Sequence, residues 1–182
     1  MKKKKGKTSW MALKIDIEKA YDRLEWGFIE KVLYCFGFLD TWIQWVMLVS
    51  TTSFSILING SPFWFIRPQR GVRQGDPPSP FLFVLAREIL ARLIEREASC
   101  NGIKGFKLAR DLTPITLLQF ADDLFIFAQV NEENLQRIKY CLDVFSSWSG
   151  QTINFFKSII IYSRNTPHCL KSRLAILLEL ML

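Results

Sequence analysis

The sequence predicts an α+β domain, an antiparallel sheet with helices packed on one face, and three observations carry that prediction. Strand-like and helix-like segments follow in the order strand, two helices, strand pair, helix, strand pair, helix, strand, which is an α+β order. Asn59-Gly60 stands between two β-rich runs, the strongest short hairpin signal. Two further apolar runs flank Asp122-Asp123 within Leu117–Ala128 and read as a second hairpin with the two carboxylates at its tip. With 182 residues, 49% of them hydrophobic, the chain can build one domain around a substantial core.

Taken in order, residues 9–17 are mostly apolar and read as a buried strand that delivers Asp16 at its far end, followed by a charged turn through Arg23. Residues 25–36 have helical spacing, with Trp26, Ile29, Leu33 and Phe36 on one face and Gly37 as the stop. A second helix is expected over 40–50, capped by Asp40 or Thr41. The hairpin over 54–66 leads into Arg70–Pro80, a loop whose close glycines let backbone approach a ligand and whose prolines place a helix start near Ser79. That helix, to about Ala98, turns Leu82, Leu85, Ile89, Leu93 and Ile94 inward. After a loop with an irregular hairpin over 101–112 comes the acidic hairpin. Asn131 then caps a helix to about Trp148 with Leu135, Ile138, Leu142 and Phe145 buried, and Ser149-Gly150 ends it. Residues 153–156 and 158–162 read as a strand pair around Lys157, and 167–182 as a helix with Leu170, Leu174, Leu177, Leu178 and Met181 on one side, a face left without a partner at the C-terminus.

Charge and cysteines narrow the function classes. Of the net +7, five charges are Lys2, Lys3, Lys4, Lys5 and Lys7, which leaves +2 for the body. The lysine run reads as a phosphate-attracting or nuclear-targeting arm, or as a solubilising tail. Cys35, Cys100, Cys141 and Cys169 form no CxxC pair and His168 is the single histidine, which argues against zinc and against a disulfide framework. No apolar run approaches the roughly 18 residues of a membrane span, and Lys14, Asp16 and Glu18 interrupt any signal-peptide core. A soluble, intracellular protein with reduced thiols is the expectation, nucleus before cytoplasm.

Two adjacent carboxylates repel, so Asp122-Asp123 is costly unless a cation sits with them, although aspartate also favours turns for its own sake. If the strand ending at Asp16 neighbours the acidic hairpin, three carboxylates converge at a sheet edge. Hard oxygen ligands of that kind suit Mg²⁺ with substrate phosphates, and two such ions clamp a phosphoryl transfer.

Four motifs then stand in order: Lys14-Ile15-Asp16-Ile17-Glu18-Lys19-Ala20-Tyr21-Asp22, Arg70 to Pro80, Phe120-Ala121-Asp122-Asp123, and Ser149-Gly150-Gln151-Thr152-Ile153-Asn154-Phe155-Phe156-Lys157-Ser158. Together they resemble the reverse transcriptase domain of plant non-LTR (LINE-type) retrotransposons over nearly the whole chain after the lysine tail. The resemblance implies a polymerase palm with fingers and thumb largely missing: a basic flexible tail over 1–8, a partial palm over 9–165, and over 166–182 a truncated helix leading toward a thumb. It implies Asp16 and Asp122 as metal ligands, Asp123 as the accompanying carboxylate, Ile17 as a backbone-carbonyl ligand, and two Mg²⁺ ions with Mn²⁺ as a substitute. Tyr21 falls at the aromatic gate that bars a 2′-hydroxyl, Gln74 and Gly75 lie against nucleotide and template base, and Lys157 stands near the pyrophosphate as proton donor. The implied partners are an RNA template, a DNA primer and deoxynucleoside triphosphates, with no membrane.

Singly, the same residues have plainer readings: Tyr21 as a core aromatic, Gly75 as a turn glycine, Lys157 as a solvated lysine. The sequence also departs from the family. Phe120 replaces a tyrosine, Pro78 and Leu117 stand where leucine and histidine are usual, and Gln151-Thr152 replaces a Leu-Lys pair. None of these removes a metal ligand. The implied activity is RNA-directed DNA polymerisation, by a fragment not expected to act alone. The alternatives are a non-catalytic remnant or co-opted binding module and, more distantly, an RNA-dependent RNA polymerase.

Overall fold

The computed structural model describes residues 8–109, 111–120 and 123–177. Strands and helices are β1 (Trp10–Ile15), β2 (Ile17–Glu18), α1 (Trp26–Cys35), α2 (Asp40–Met47), β3 (Phe54–Ile58), β4 (Ser61–Ile66), α3 (Ser79–Asn101), β5 (Leu117–Phe120), β6 (Asp123–Gln129), α4 (Glu132–Ser149), β7 (Thr152–Ile153), β8 (Ile159–Tyr162) and α5 (His168–Leu177). The fold is α+β, the expected palm architecture. It divides into two compact units, one of Met1–Glu18, Leu90–Ser146 and Thr152–Leu182, the other of Lys19–Ile89 and Ser147–Gln151.

The first unit is built on an antiparallel sheet in the order β5-β6-β1-β8. Side chains alternate across a strand, and the β1–β6 register sets Met11 opposite Ala128, Leu13 opposite Ile126 and Ile15 opposite Leu124. All six are buried, so one sheet face is a dry core. The opposite face carries Lys14 against Phe125, both half-exposed, with buried Ala12 beside half-exposed Phe127. Leu135, Ile138, Leu142 and Phe145 of α4 and Leu174 of α5 complete this unit's core. Asn131 caps α4, its Oδ1 accepting the Asn134 N–H at 2.6 Å.

In the second unit α1 buries Phe28, Ile29, Val32 and Leu33 beside Leu24, Ile43 and Val72. The expected outer residues Trp26 and Phe36 are only half-buried, because the stripe is centred one position away from them. Gly37 closes α1 at φ 78°. Neither Asp40 nor Thr41 caps α2. Leu39 occupies the cap without a side-chain bond, and the chain tightens into a 3₁₀ turn over Leu48–Thr51 after Met47. The β3–β4 hairpin turns at Asn59-Gly60, both at positive φ, the geometry of a type I′ turn. Ser55 pairs with Phe65 and Ile56 with Phe63, which makes Trp64 the extra residue of a β-bulge.

Three further expectations are corrected. The buried stripe of α3 runs Leu82, Phe83, Ala86, Leu90 and Ile94; Leu85, Ile89 and Leu93 are half-buried. The segments around Lys157 do not pair with each other: β7 pairs with β2 and β8 with β1, so the turn between them leads from one ladder to another. In α5, Leu174 and Ala175 are buried while Leu170 and Leu177 are half-buried; Leu178 and Met181 lie outside the described residues.

Candidate active site

Asp16 is the residue at which β1 ends, and its backbone is held on both sides. Its N–H donates to Ser158 Oγ at 3.1 Å, and its carbonyl accepts the Asn154 N–H at 2.9 Å. Ser158 Oγ in turn donates to the Asn154 carbonyl at 2.8 Å, and the Lys157 N–H donates to Asn154 Oδ1 at 3.1 Å. The 154–158 turn thereby locks the peptide of Asp16 and carries Lys157, whose side chain is exposed. The β1–β6 ladder ends at Ile15 opposite Leu124, and Asp16 and Asp123 are the next residues along the two chains. Asp123 is therefore the first residue of β6, where the sequence had placed it at a hairpin tip. Lys14 Nζ pairs with Asp123 Oδ1 at 2.7 Å and lies over the Phe125 ring. Both partners are well exposed, so the pair neutralises charge more than it stabilises the fold. Asp122 lies outside the described residues.

Do these donors suit a divalent cation? Among the described residues no group of three or more His, Cys, Asp or Glu could hold a metal. The oxygen donors present are the carboxylates of Asp16 and Asp123 and the carbonyl of Ile17. Bonded pairs alternate along an antiparallel ladder. The Asp16 carbonyl bonds Asn154, one residue beyond β7, and Ile17 pairs with Ile153 of β7. This hard, all-oxygen set has the chemistry Mg²⁺ requires.

The nucleotide-facing candidates fall in the second unit. Tyr21 sits in a turn whose Asp22 and Arg23 N–H groups both donate to the Lys19 carbonyl. Its ring stacks on Phe83 with centroids 4.4 Å apart, and the Arg87 guanidinium lies 5.6 Å from the Phe83 ring centroid. Its carbonyl accepts the Val72 N–H at 3.0 Å. Gly71, at φ 92°, fits so closely that a Cβ there would stand 2.6 Å from the Asp22 carbonyl oxygen. Its carbonyl accepts Trp26 Nε1–H at 2.7 Å. Gln74 lines a cavity of about 600 Å³ with Asp22, Trp26, Phe54, Arg70 and Arg73. That is the size of an ordinary small-ligand site. Gly75 is exposed at φ 96° with open space where a Cβ would go. Arg73 lies over the Phe54 ring and Arg70 pairs with Glu25 at 3.5 Å.

Four contributors escaped the sequence reading: Lys14, Ser158, Asn154 and Phe83. Lys14 could have been found from strand periodicity, since it shares a face with Asp16 two residues on. Asn154 and Ser158 have the spacing of a side-chain-stabilised turn. Phe83 had no local signal, because its role depends on where Tyr21 comes to rest.

Comparison with known proteins identifies the family. Residues 1–171 match the family model described as reverse transcriptase (RNA-dependent DNA polymerase). The Pol polyprotein of the R2 retrotransposable element of Popillia japonica is 30% identical over 128 residues, covering 69% of this chain and 20% of the polyprotein. The 149 kDa protein of transposon TX1 of Xenopus laevis is 29% identical over 147 residues, 80% of this chain and 11% of that protein. An uncharacterized mitochondrial protein of Arabidopsis thaliana is 42% identical over 67 residues, 37% of this chain and 55% of that protein. The chain thus spans from about a tenth to just over half of these relatives. Among solved structures, telomerase from Candida tropicalis superposes with a TM-score of 0.66 at 15% identity, over 90% of this chain and 27% of that one, a likeness of fold. No helix among the described residues is long and apolar enough to cross a membrane. With the family model matched over 171 of 182 residues, the chain belongs to the reverse transcriptase (RNA-dependent DNA polymerase) family, in its non-LTR retrotransposon branch.

Proposed function

We propose that this chain is the catalytic palm of a non-LTR retrotransposon reverse transcriptase, extending a DNA primer on an RNA template. What supports the reading is the β1–β6 register, which ends at Ile15 opposite Leu124, with Asp16 and Asp123 the next residues along the two chains. In this reading Asp16, Asp122 and the Ile17 carbonyl hold the divalent ions. Asp123, already paired with Lys14, tunes charge from the side. Two bound Mg²⁺ ions, or Mn²⁺ in their place, would supply positive charge to the attacking and leaving oxygens. The primer 3′-hydroxyl gives up its proton to solvent water, its oxygen forms a bond to the α-phosphorus, and the bond from that phosphorus to the β-phosphate bridge breaks. Pyrophosphate leaves with the electron pair, and the Lys157 ammonium is placed to give it a proton. Tyr21 excludes a 2′-hydroxyl, and Gln74 and Gly75 lie against the nucleotide and template base. The basic residues over 1–8 serve as a phosphate-attracting, nuclear-address or solubilising segment, residues 9–165 as the palm, and 166–182 as the lead toward a thumb. Because the relatives are mostly several times longer, we propose that full activity requires neighbouring polymerase segments.

Primer extension on poly-rA with dTTP and Mg²⁺ tests this. The expected result is little extension by the chain alone and extension once family-type fingers and thumb are supplied, abolished by Asp122→Ala. Silence of the completed protein would leave the reading of a non-catalytic remnant or binding module.

A further inference from the structure

We propose that Gln151 is a positioning residue for sugar selection, its buried amide fixing the turn that carries Tyr21. The proposal rests on the reading of Tyr21 as the residue that bars a 2′-hydroxyl.

The turn is not self-supporting. Lys19 is held at φ 46°, a left-handed conformation that side-chain-bearing residues adopt at a cost. The turn persists because neighbouring chain clamps it from two directions. On one side the N–H groups of Gly71 and Val72 donate to the carbonyls of Leu24 and Tyr21. On the other, the Glu25 N–H donates to the Ser149 carbonyl, and Gly150, at φ 73°, lies so near that a Cβ would meet the Arg23 carbonyl oxygen at 2.9 Å. Those contacts are made by backbone, and most residue types could make the hydrogen bonds.

Gln151 is different in kind. Its side chain is 2% exposed, and Nε2 donates to the carbonyl of Ala20, the residue before Tyr21, at 2.5 Å. Its Oε1 is buried and has no hydrogen-bond partner among the described residues. An amide buried with its oxygen unsatisfied costs stability, whereas an apolar side chain of similar volume would fill the space without that cost. What the glutamine adds is one donor aimed at the peptide on which Tyr21 pivots. The far side of the Tyr21 ring is already fixed by its stack on buried Phe83. Freeing Ala20 lets the backbone relax at Lys19 and the ring slide across Phe83, which widens the space beneath the sugar.

Gln151→Met keeps the volume and removes the donor. The test is equilibrium binding of dTTP and of UTP to the full chain with a primer on poly-rA and Mg²⁺, for the wild type, Gln151→Met and Tyr21→Val. The wild type is expected to prefer dTTP. Tyr21→Val should cut that preference by about tenfold or more, and Gln151→Met by roughly fivefold, the worth of one net hydrogen bond. The loss in Gln151→Met should come from tighter UTP binding with dTTP affinity kept, a pattern general destabilisation does not give. Hydrogen exchange at the Val72 N–H should quicken in the same variant, while that at Ile126 in the sheet stays unchanged. An unaltered preference in Gln151→Met, against a reduced one in Tyr21→Val, overturns the role of Gln151 and leaves Tyr21 standing. An unaltered preference in both variants overturns the reading of Tyr21 and this inference with it. Should Gln151→Met not fold, Gln151→Glu, which sets a carboxylate against the Ala20 carbonyl, is judged by the same outcomes.

Discussion

Strand β1 and the β3–β4 hairpin are both mostly apolar and share Trp, Ile and Leu, yet they differ sharply in burial. In β1, flanked by β6 and β8, Met11, Leu13 and Ile15 are at most 1% exposed. In β3 and β4, which pair only with each other among the described residues, every residue is exposed. Apolar composition proposes a strand, but ladder partners on both sides and a covered face decide whether it becomes core. The hairpin also loses strict alternation at its bulge, where Trp64 stands at φ 62°. A ribbon with no single inward face has no face to bury.

The comparison can be broken most directly by truncation. Leu13→Ala should cost about 2–5 kcal/mol, the range for a fully buried leucine. Leu57→Ala, in the hairpin, should stay within about 0.5 kcal/mol. Urea unfolding followed by far-UV circular dichroism distinguishes them, and equal costs would mean the hairpin is covered in solution. Next in size is the anchor at the end of β1: Ser158→Ala removes the acceptor for the Asp16 N–H and should cost about 1 kcal/mol. It should also weaken primer extension by the completed enzyme more than it lowers stability, because it frees the peptide that carries a ligand.

A gentler probe is Cys141, buried on α4, whose thiol is pushed up to about 11 by burial first and by the neighbouring Glu97 carboxylate second. Folding therefore opposes its ionisation. Its contribution to stability is full below the unfolded thiol's pKa near 9 and is lost as pH rises from there to about 11. Cys35, Cys100 and Cys169 are exposed and should be alkylated first at pH 8, with Cys141 protected until the fold opens. The smallest effect is expected at Trp64→Gly. Relief of the left-handed backbone and the entropy cost of glycine should nearly offset, leaving a gain of about 0.5 kcal/mol or less. A loss would show that the exposed indole has a partner.

Periodicity and turn chemistry made most elements legible. Asn59-Gly60 marked its hairpin, Asn131 its helix cap, and Asp16 the end of its strand. The pairings were not legible, because a two-residue strand such as β7 carries no pattern of its own and its partner β2 lies more than a hundred residues away. The same holds for the site. Asp16, Tyr21 and Gln74 stood out as motif residues, whereas Phe83 and Gln151 acquire meaning only from the turn they touch. Burial of Phe83 rather than Leu85 on α3 is one rotation of a helix that is apolar on several sides, which spacing alone does not resolve.

A two-stranded ribbon has two open edges, and here they differ. On β4, Pro62 removes one donor and interrupts any further ladder. On β3, Phe54-Ser55-Ile56-Leu57-Ile58 presents an edge unpaired among the described residues, with neither proline nor charge. That edge is a template for strand addition by other copies of the chain. In concentrated solution such an edge favours association between copies, so Ile56→Lys should lower light scattering at high protein concentration.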